Sequence, residues 1–99
     1  MDKLITARGE LLEMFSKVTK NVKPEVEEKD LEPILDIALD NFNREMQKPL
    51  EEFDDTPDNM KAHIFQILIK HFVIGMKNER LFRDENLSEI SKQLEKLAE

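Results

Sequence analysis

The stretch from Thr56 to Lys77, TPDNMKAHIFQILIKHFVIGMK, is the most apolar part of an otherwise charged chain, and it restricts what the chain can fold into. Thr56 is a good N-cap residue, and Pro57 follows at the first helical position, where a missing N–H costs nothing. Asp58 in the first turn and Lys77 in the last turn both suit the helix dipole. At about 1.5 Å per residue the run makes a helix roughly 30 Å long. With residues placed at about 100° per position, His63, Gln66, Lys70 and Lys77 fall in one narrow polar stripe. Phe65, Ile69, Phe72 and Met76 lie opposite, and Ile64, Ile67, Leu68 and Ile74 fill the flanks. A helix apolar over most of its circumference must be covered on several sides. Lys61, His63, Lys70 and His71 interrupt the run, which argues against a membrane span of about 20 apolar residues.

The rest of the chain reads as cover for this helix. Leu4, Leu11, Phe15, Val18 and Val22 recur at helical spacing, widened by Ile5, Leu12 and Met14, with Asp2 as the expected cap. Gly9 lies inside this run, and Pro24 sets its end. Glu25–Lys29 reads as a charged connector and Asp30 as the next N-cap, with Pro33 early enough to be tolerated. Leu31, Ile34, Leu35, Ala38, Phe42 and Met46 continue with helical period. Pro49–Asp55 reads as an irregular turn in which Leu50 and Phe53 plug one end of the fold. Asn78–Glu85 reads as a loop or broken helical turn, and Asn86 with Glu89 as a capping box before the seam Leu87, Ile90, Leu94 and Leu97. Neither an internal repeat nor a low-complexity tail is present.

These signals predict an all-α chain of one domain, residues 1–99, as an antiparallel up-down-up-down four-helix bundle. The expected helices cover about residues 3–22, 31–47, 57–77 and 87–98, and a monomer is expected. Two Gly and no Cys, Trp or Tyr agree with a helical chain lacking disulfides and thiolate metal sites. The start, MDKLITARGELLEMF, has no apolar core of a signal peptide, which with the missing Cys fits a reducing cytoplasm.

The net charge of −7 is unevenly spread. Residues 25–58 carry thirteen acidic and three basic side chains, whereas residues 59–83 carry five basic and one acidic. Nucleic acid is not an expected partner, because phosphate contacts need clustered Lys and Arg in excess.

Catalytic and cofactor chemistry find little support. His63 and His71 are eight positions apart, about 80° on the wheel, and no Glu-x-x-His or Cys ligand accompanies them. His71, between Ile64, Ile67 and Ile74, reads as a partly buried bundle histidine. Ala62-His63 superficially resembles the motif of histidine phosphotransfer domains. Those domains want Lys three residues after the His and then Gly, where this chain has Gln66 and Ile67; the nearest basic residue is Lys70. The acidic run Glu51, Glu52, Asp54, Asp55 and Asp58 lacks the order and the turn glycine of a calcium loop, and reads as a solvated connector. No Gly-rich phosphate loop and no nucleophile–base set emerges, so no metal, no cofactor and no enzyme activity are expected. On the surface, Lys77, Arg80 and Arg83 surround Leu81 and Phe82. Either the two apolar residues cap the bundle end, or Phe82 is an exposed interface anchor flanked by arginines.

The segment LIKHFVIGMKNERLFRDENLSEISKQLEKL resembles the corresponding part of the immunity proteins for pediocin-like (class IIa) bacteriocins, the enterocin A immunity protein-like group. The shared outline spans residues 64–97: a long apolar third helix, an Asn-charged-apolar-Arg corner at Asn78–Arg83, and a polar fourth helix opening near Leu87-Ser88-Glu89. The resemblance implies a cytoplasmic four-helix bundle, non-enzymatic, that protects a producer cell from its own pore-forming peptide. The partner it implies is the mannose phosphotransferase permease with bacteriocin bound, met at the cytoplasmic side with transient peripheral contact at the inner membrane face. The C-terminal half would govern which bacteriocins are countered. Carried over by position, the contacts would be Lys77, Arg80, Phe82, Arg83, Ser88 and Lys92. A small helical adaptor or toxin-neutralising partner is the alternative of the same class, and phosphotransfer through His63 the alternative of another.

Overall fold

A computed structural model describes residues 3–99. Among the described residues the chain forms α1 (Arg8–Val22), α2 (Glu28–Met46), a 3-10 turn (Leu50–Phe53), α3 (Asp58–Glu79) and α4 (Asp84–Leu97), with no strand. Each helix packs beside its chain neighbour, and α1 also packs beside α4, which closes an antiparallel four-helix bundle. At about 1.5 Å per residue, the 22 residues of α3 run nearly the full 36 Å of the long axis. No helix among the described residues is long and apolar enough to cross a membrane.

The apolar face of α3 is the centre of the core. Ile64, Phe65, Leu68, Ile69, Phe72 and Met76 are all buried, while His63, Gln66, Lys70 and Lys77 face water. The helix also reaches its diagonal partner: the Phe15 ring of α1 lies 4.4 Å from Phe72 and 6.2 Å from Phe65, centroid to centroid. Contact with both neighbours and with the diagonal helix is what an apolar surface this wide requires. Ile74 departs from expectation, being 47% exposed on the outer edge of α3. The next residue, Gly75, is instead the one turned toward α2, where a Cβ would stand 3.0 Å from Ile34 Cγ2.

Several boundaries differ from the sequence expectation. Helix α1 begins at Arg8 rather than near residue 3. The preceding residues are not helical; Leu4 is buried there, and Thr6 Oγ1 donates to Asp54 Oδ1 at 2.9 Å. Asp2, expected to cap this helix, lies outside the described residues. Helix α2 starts at Glu28, so Asp30 is not the N-cap; its carboxylate reaches back to accept the Glu27 N–H at 3.1 Å. Pro33 therefore sits in the second turn, not the first. Val26, inside what reads as a purely charged connector, is buried; a single apolar residue has no period to reveal it. Helix α3 is capped by Pro57 rather than Thr56 and runs two residues beyond Lys77. Helix α4 starts at Asp84, with Asp84 and Glu85 in its first turn, so Asn86 lies within the helix instead of capping it. Its last apolar residue, Leu97, is 43% exposed; Ala98, four residues after Leu94, takes the inward position.

The middle connector closes one end of the bundle as the sequence suggests. Leu50 and Phe53 are buried, and Phe53 meets Phe42 edge-on at 5.8 Å. Asn43 ties the connector to α2, its Oδ1 accepting the Leu50 N–H at 3.1 Å. Gln47 terminates α2 in the left-handed conformation with φ 59°.

Candidate functional site

The opposite end of the bundle holds the α1–α2 and α3–α4 connectors side by side, because an up-down-up-down topology returns both to the same end. Between them lies a cleft of about 580 Å³ lined by Lys23, Glu25, Arg80, Leu81, Phe82, Arg83, Glu85 and Asn86. Its wall is the α3–α4 corner, which is only the four residues Arg80–Arg83, half the length that the sequence suggests.

Phe82 holds this corner. It is 8% exposed and belongs to the core, while the adjacent Leu81 is 39% exposed. The choice between a capping and a protruding pair is thus resolved one residue each way, with Phe82 inward and Leu81 outward. Lys23 reaches over from the end of α1, its ammonium 5.3 Å from the Phe82 ring centroid and donating to the Leu81 carbonyl. This fixes the corner backbone from the outside. Arg80 adopts the left-handed conformation, φ 57° and ψ 29°, and its N–H donates to the Lys77 carbonyl at 3.2 Å. A non-glycine residue there costs about 1 kcal/mol relative to glycine.

Arg80 and Arg83 are both exposed, and among the described residues neither guanidinium has an ion-pair or hydrogen-bond partner. Two cations thus flank one exposed apolar side chain over a buried aromatic floor. The acidic members of the lining, Glu25 and Glu85, sit on the same cleft.

Of the six residues implied by the resemblance, Arg80, Phe82 and Arg83 converge on the cleft. Lys77, Ser88 and Lys92 are exposed but outside its lining. Ser88 and Lys92, four apart, share one outer face of α4. Lys23 is among the lining residues that local sequence reading misses. Its only signal is topological, namely that it opens the other connector at the same end of the bundle.

The other polar groups that the sequence singles out lie outside the lining of this cleft. His63 is exposed, but Lys70, the nearest basic residue on its stripe, is already engaged by Glu45 at 2.9 Å. His71 has a side chain 14% exposed, with Nε2 3.0 Å from the same Glu45 oxygen. These contacts hold the Glu45 carboxyl below its ordinary range, the hydrogen bond from Lys70 being the largest cause. Asp54 is taken up by Thr6 and Asp58 by Lys61 at 2.8 Å. No group of three or more His, Asp or Glu side chains among the described residues is placed to hold a metal ion.

No protein-family model, no curated protein and no solved structure matches this chain.

Proposed function

We propose that the chain is a non-enzymatic bacteriocin immunity protein. It acts as a cytoplasmic monomer at the inner side of a mannose-type permease and blocks the pore that a pediocin-like peptide forms there. The observation that carries this reading is the α3–α4 corner, where Arg80 and Arg83, without partners among the described residues, flank exposed Leu81 inside the segment that resembles such proteins. Arginines held on a fixed frame are frequent anchors of protein interfaces. Lys77, Ser88 and Lys92 extend the same contact surface down α3 and α4, and Phe82 supports it from within.

Expression in a bacteriocin-sensitive strain tests the proposal. Survival against at least one pediocin-like peptide is expected, lost in an R80E/R83E variant and kept in H63A. Unchanged killing across a panel of such peptides, with the protein present at normal levels, would remove the reading. Acid-labile phosphate on His63 after incubation with acetyl phosphate would favour phosphotransfer instead.

A further inference from the structure

We infer that the cleft between the two connectors is a docking site for an acidic segment of a partner protein carrying one apolar side chain. This rests on the immunity reading only in taking the partner to be a protein.

Charge is the first ground. Lys23 spends its ammonium on the Leu81 carbonyl and the Phe82 ring, so it supports the cleft from within. Arg80 and Arg83 spend theirs on nothing among the described residues. A guanidinium presents paired donors that match a carboxylate, and two of them on one cleft suit a segment with at least two acidic side chains. Glu25 and Glu85 on the same lining restrict where those carboxylates can sit and so give the segment a register.

The second ground is apolar. Leu81, between the two arginines in sequence and on the same cleft, is 39% exposed. An apolar side chain in the segment would bury that surface while its carboxylates meet the guanidinium groups.

Preorganisation is the third ground. The corner is four residues long, pinned at Phe82 inside and at Leu81 by Lys23 outside, so little ordering remains to oppose binding. Arg80 holds a backbone conformation that glycine would adopt more cheaply, which is where strain tends to be kept for the sake of a side chain.

Nitrogen-15 NMR titration of the whole chain tests this without bacteriocin or permease. The probes are an acetylated, amidated acidic pentapeptide with a central leucine, its lysine counterpart, its alanine-centred version, orthophosphate, and vesicles of equimolar phosphatidylcholine and phosphatidylglycerol. Saturable shifts confined to residues 23–25 and 80–86 are expected with the acidic leucine peptide. Affinity should fall at least tenfold in R80Q/R83Q, severalfold with the alanine-centred peptide, and also on adding salt. The control K17Q, which removes one positive charge from the exposed side of α1, should leave it unchanged.

Absence of saturable shifts at millimolar peptide would overturn the proposal. Equal binding of the lysine peptide, or an equal loss in K17Q, would do the same. So would identical shifts with orthophosphate alone, or vesicle binding that depends on Arg80 and Arg83 without any peptide effect. Peptide binding without protection from killing would discard the immunity reading alone. Protection with no peptide binding would discard only the cleft.

Discussion

The rings of Phe15 and Phe72 stand 4.4 Å apart, tilted by 34°, and so join α1 to α3 across the diagonal of the bundle. Both side chains are fully buried. Truncating Phe72 to Ala should cost about 3–5 kcal/mol, as should Phe15 to Ala. The double variant should lose less than the sum, by about 0.5–1.5 kcal/mol of ring–ring coupling. Urea midpoints of the four proteins measure this; an unchanged midpoint in F72A would place Phe72 outside the core.

The two glycines should respond in opposite directions. A Cβ at Gly9 meets nothing within 4 Å, so G9A should raise stability, by up to about 1 kcal/mol. A Cβ at Gly75 meets Ile34 Cγ2 at 3.0 Å, and Ile34 is itself buried with little room to withdraw. Overpacking of about 1–3 kcal/mol then exceeds the helix-propensity gain, and G75A should be destabilised. In an Ile34→Leu background, which removes the Cγ2 methyl, the penalty of G75A should shrink. Thermal melts of G9A, G75A, I34L and I34L/G75A decide both points.

The two left-handed positions should separate stability from the proposed protection. Gln47 and Arg80 both have φ near +58°, where glycine is unstrained. Each should gain about 1 kcal/mol on substitution by glycine. Q47G should be stabilised with protection intact, whereas R80G should be stabilised and yet protect poorly. A destabilised R80G would mean that the arginine side chain contributes to folding in a way its lack of partners does not suggest.

Acid should weaken the fold through its ion-paired carboxylates, two of them between helices and one within α3. Asp36 accepts from Arg8 Nε at 2.6 Å and Nη2 at 3.0 Å, which holds its carboxyl below the ordinary range. Glu45 is held low by Lys70 and then by His71, and Asp58 by Lys61. A carboxyl whose folded pKa is depressed contributes its full stabilisation above its unfolded pKa, and loses it as pH falls from about 4 toward the folded value. Urea midpoints should therefore be level near neutral pH and decline below about pH 4. D36N should show a shallower decline. The difference should be modest and salt-sensitive, because these pairs are largely exposed.

Much of this architecture was legible because buried helices advertise themselves by period. Leu11, Phe15 and Val18, or Ile34, Ala38 and Phe42, each mark one face, and all are buried. The 3-10 plug showed itself as two apolar residues, Leu50 and Phe53, among acids. What stayed hidden depends on tertiary packing. Leu4 is buried from a non-helical segment, so its helical spacing to Leu11 was coincidental. Val26 had no partner in period. Phe82 and Leu81, adjacent and both apolar, could be sorted inside from outside only once α4 was placed three residues earlier. The cleft needed Lys23, which lies 57 positions before Arg80 and is brought there by topology alone.

The most extensive helix contact is between α2 and α3, the central pair joined by the short plugged connector. Helices α1 and α4 meet only by bringing the chain's outer quarters together, as at Asn21 and Gln93, 72 positions apart. Closing so long a loop is the entropically harder step, so the α2–α3 hairpin should assemble first and the outer helices dock onto it. Substitutions at Ile34 or Leu68 should then slow refolding, whereas those at Leu87 or Ile90 should chiefly speed unfolding. The corner that carries Arg80 and Arg83 belongs to the late step. A transient undocking of α4 would dismantle the cleft while leaving the hairpin intact, and anything bound there would latch the last helix shut.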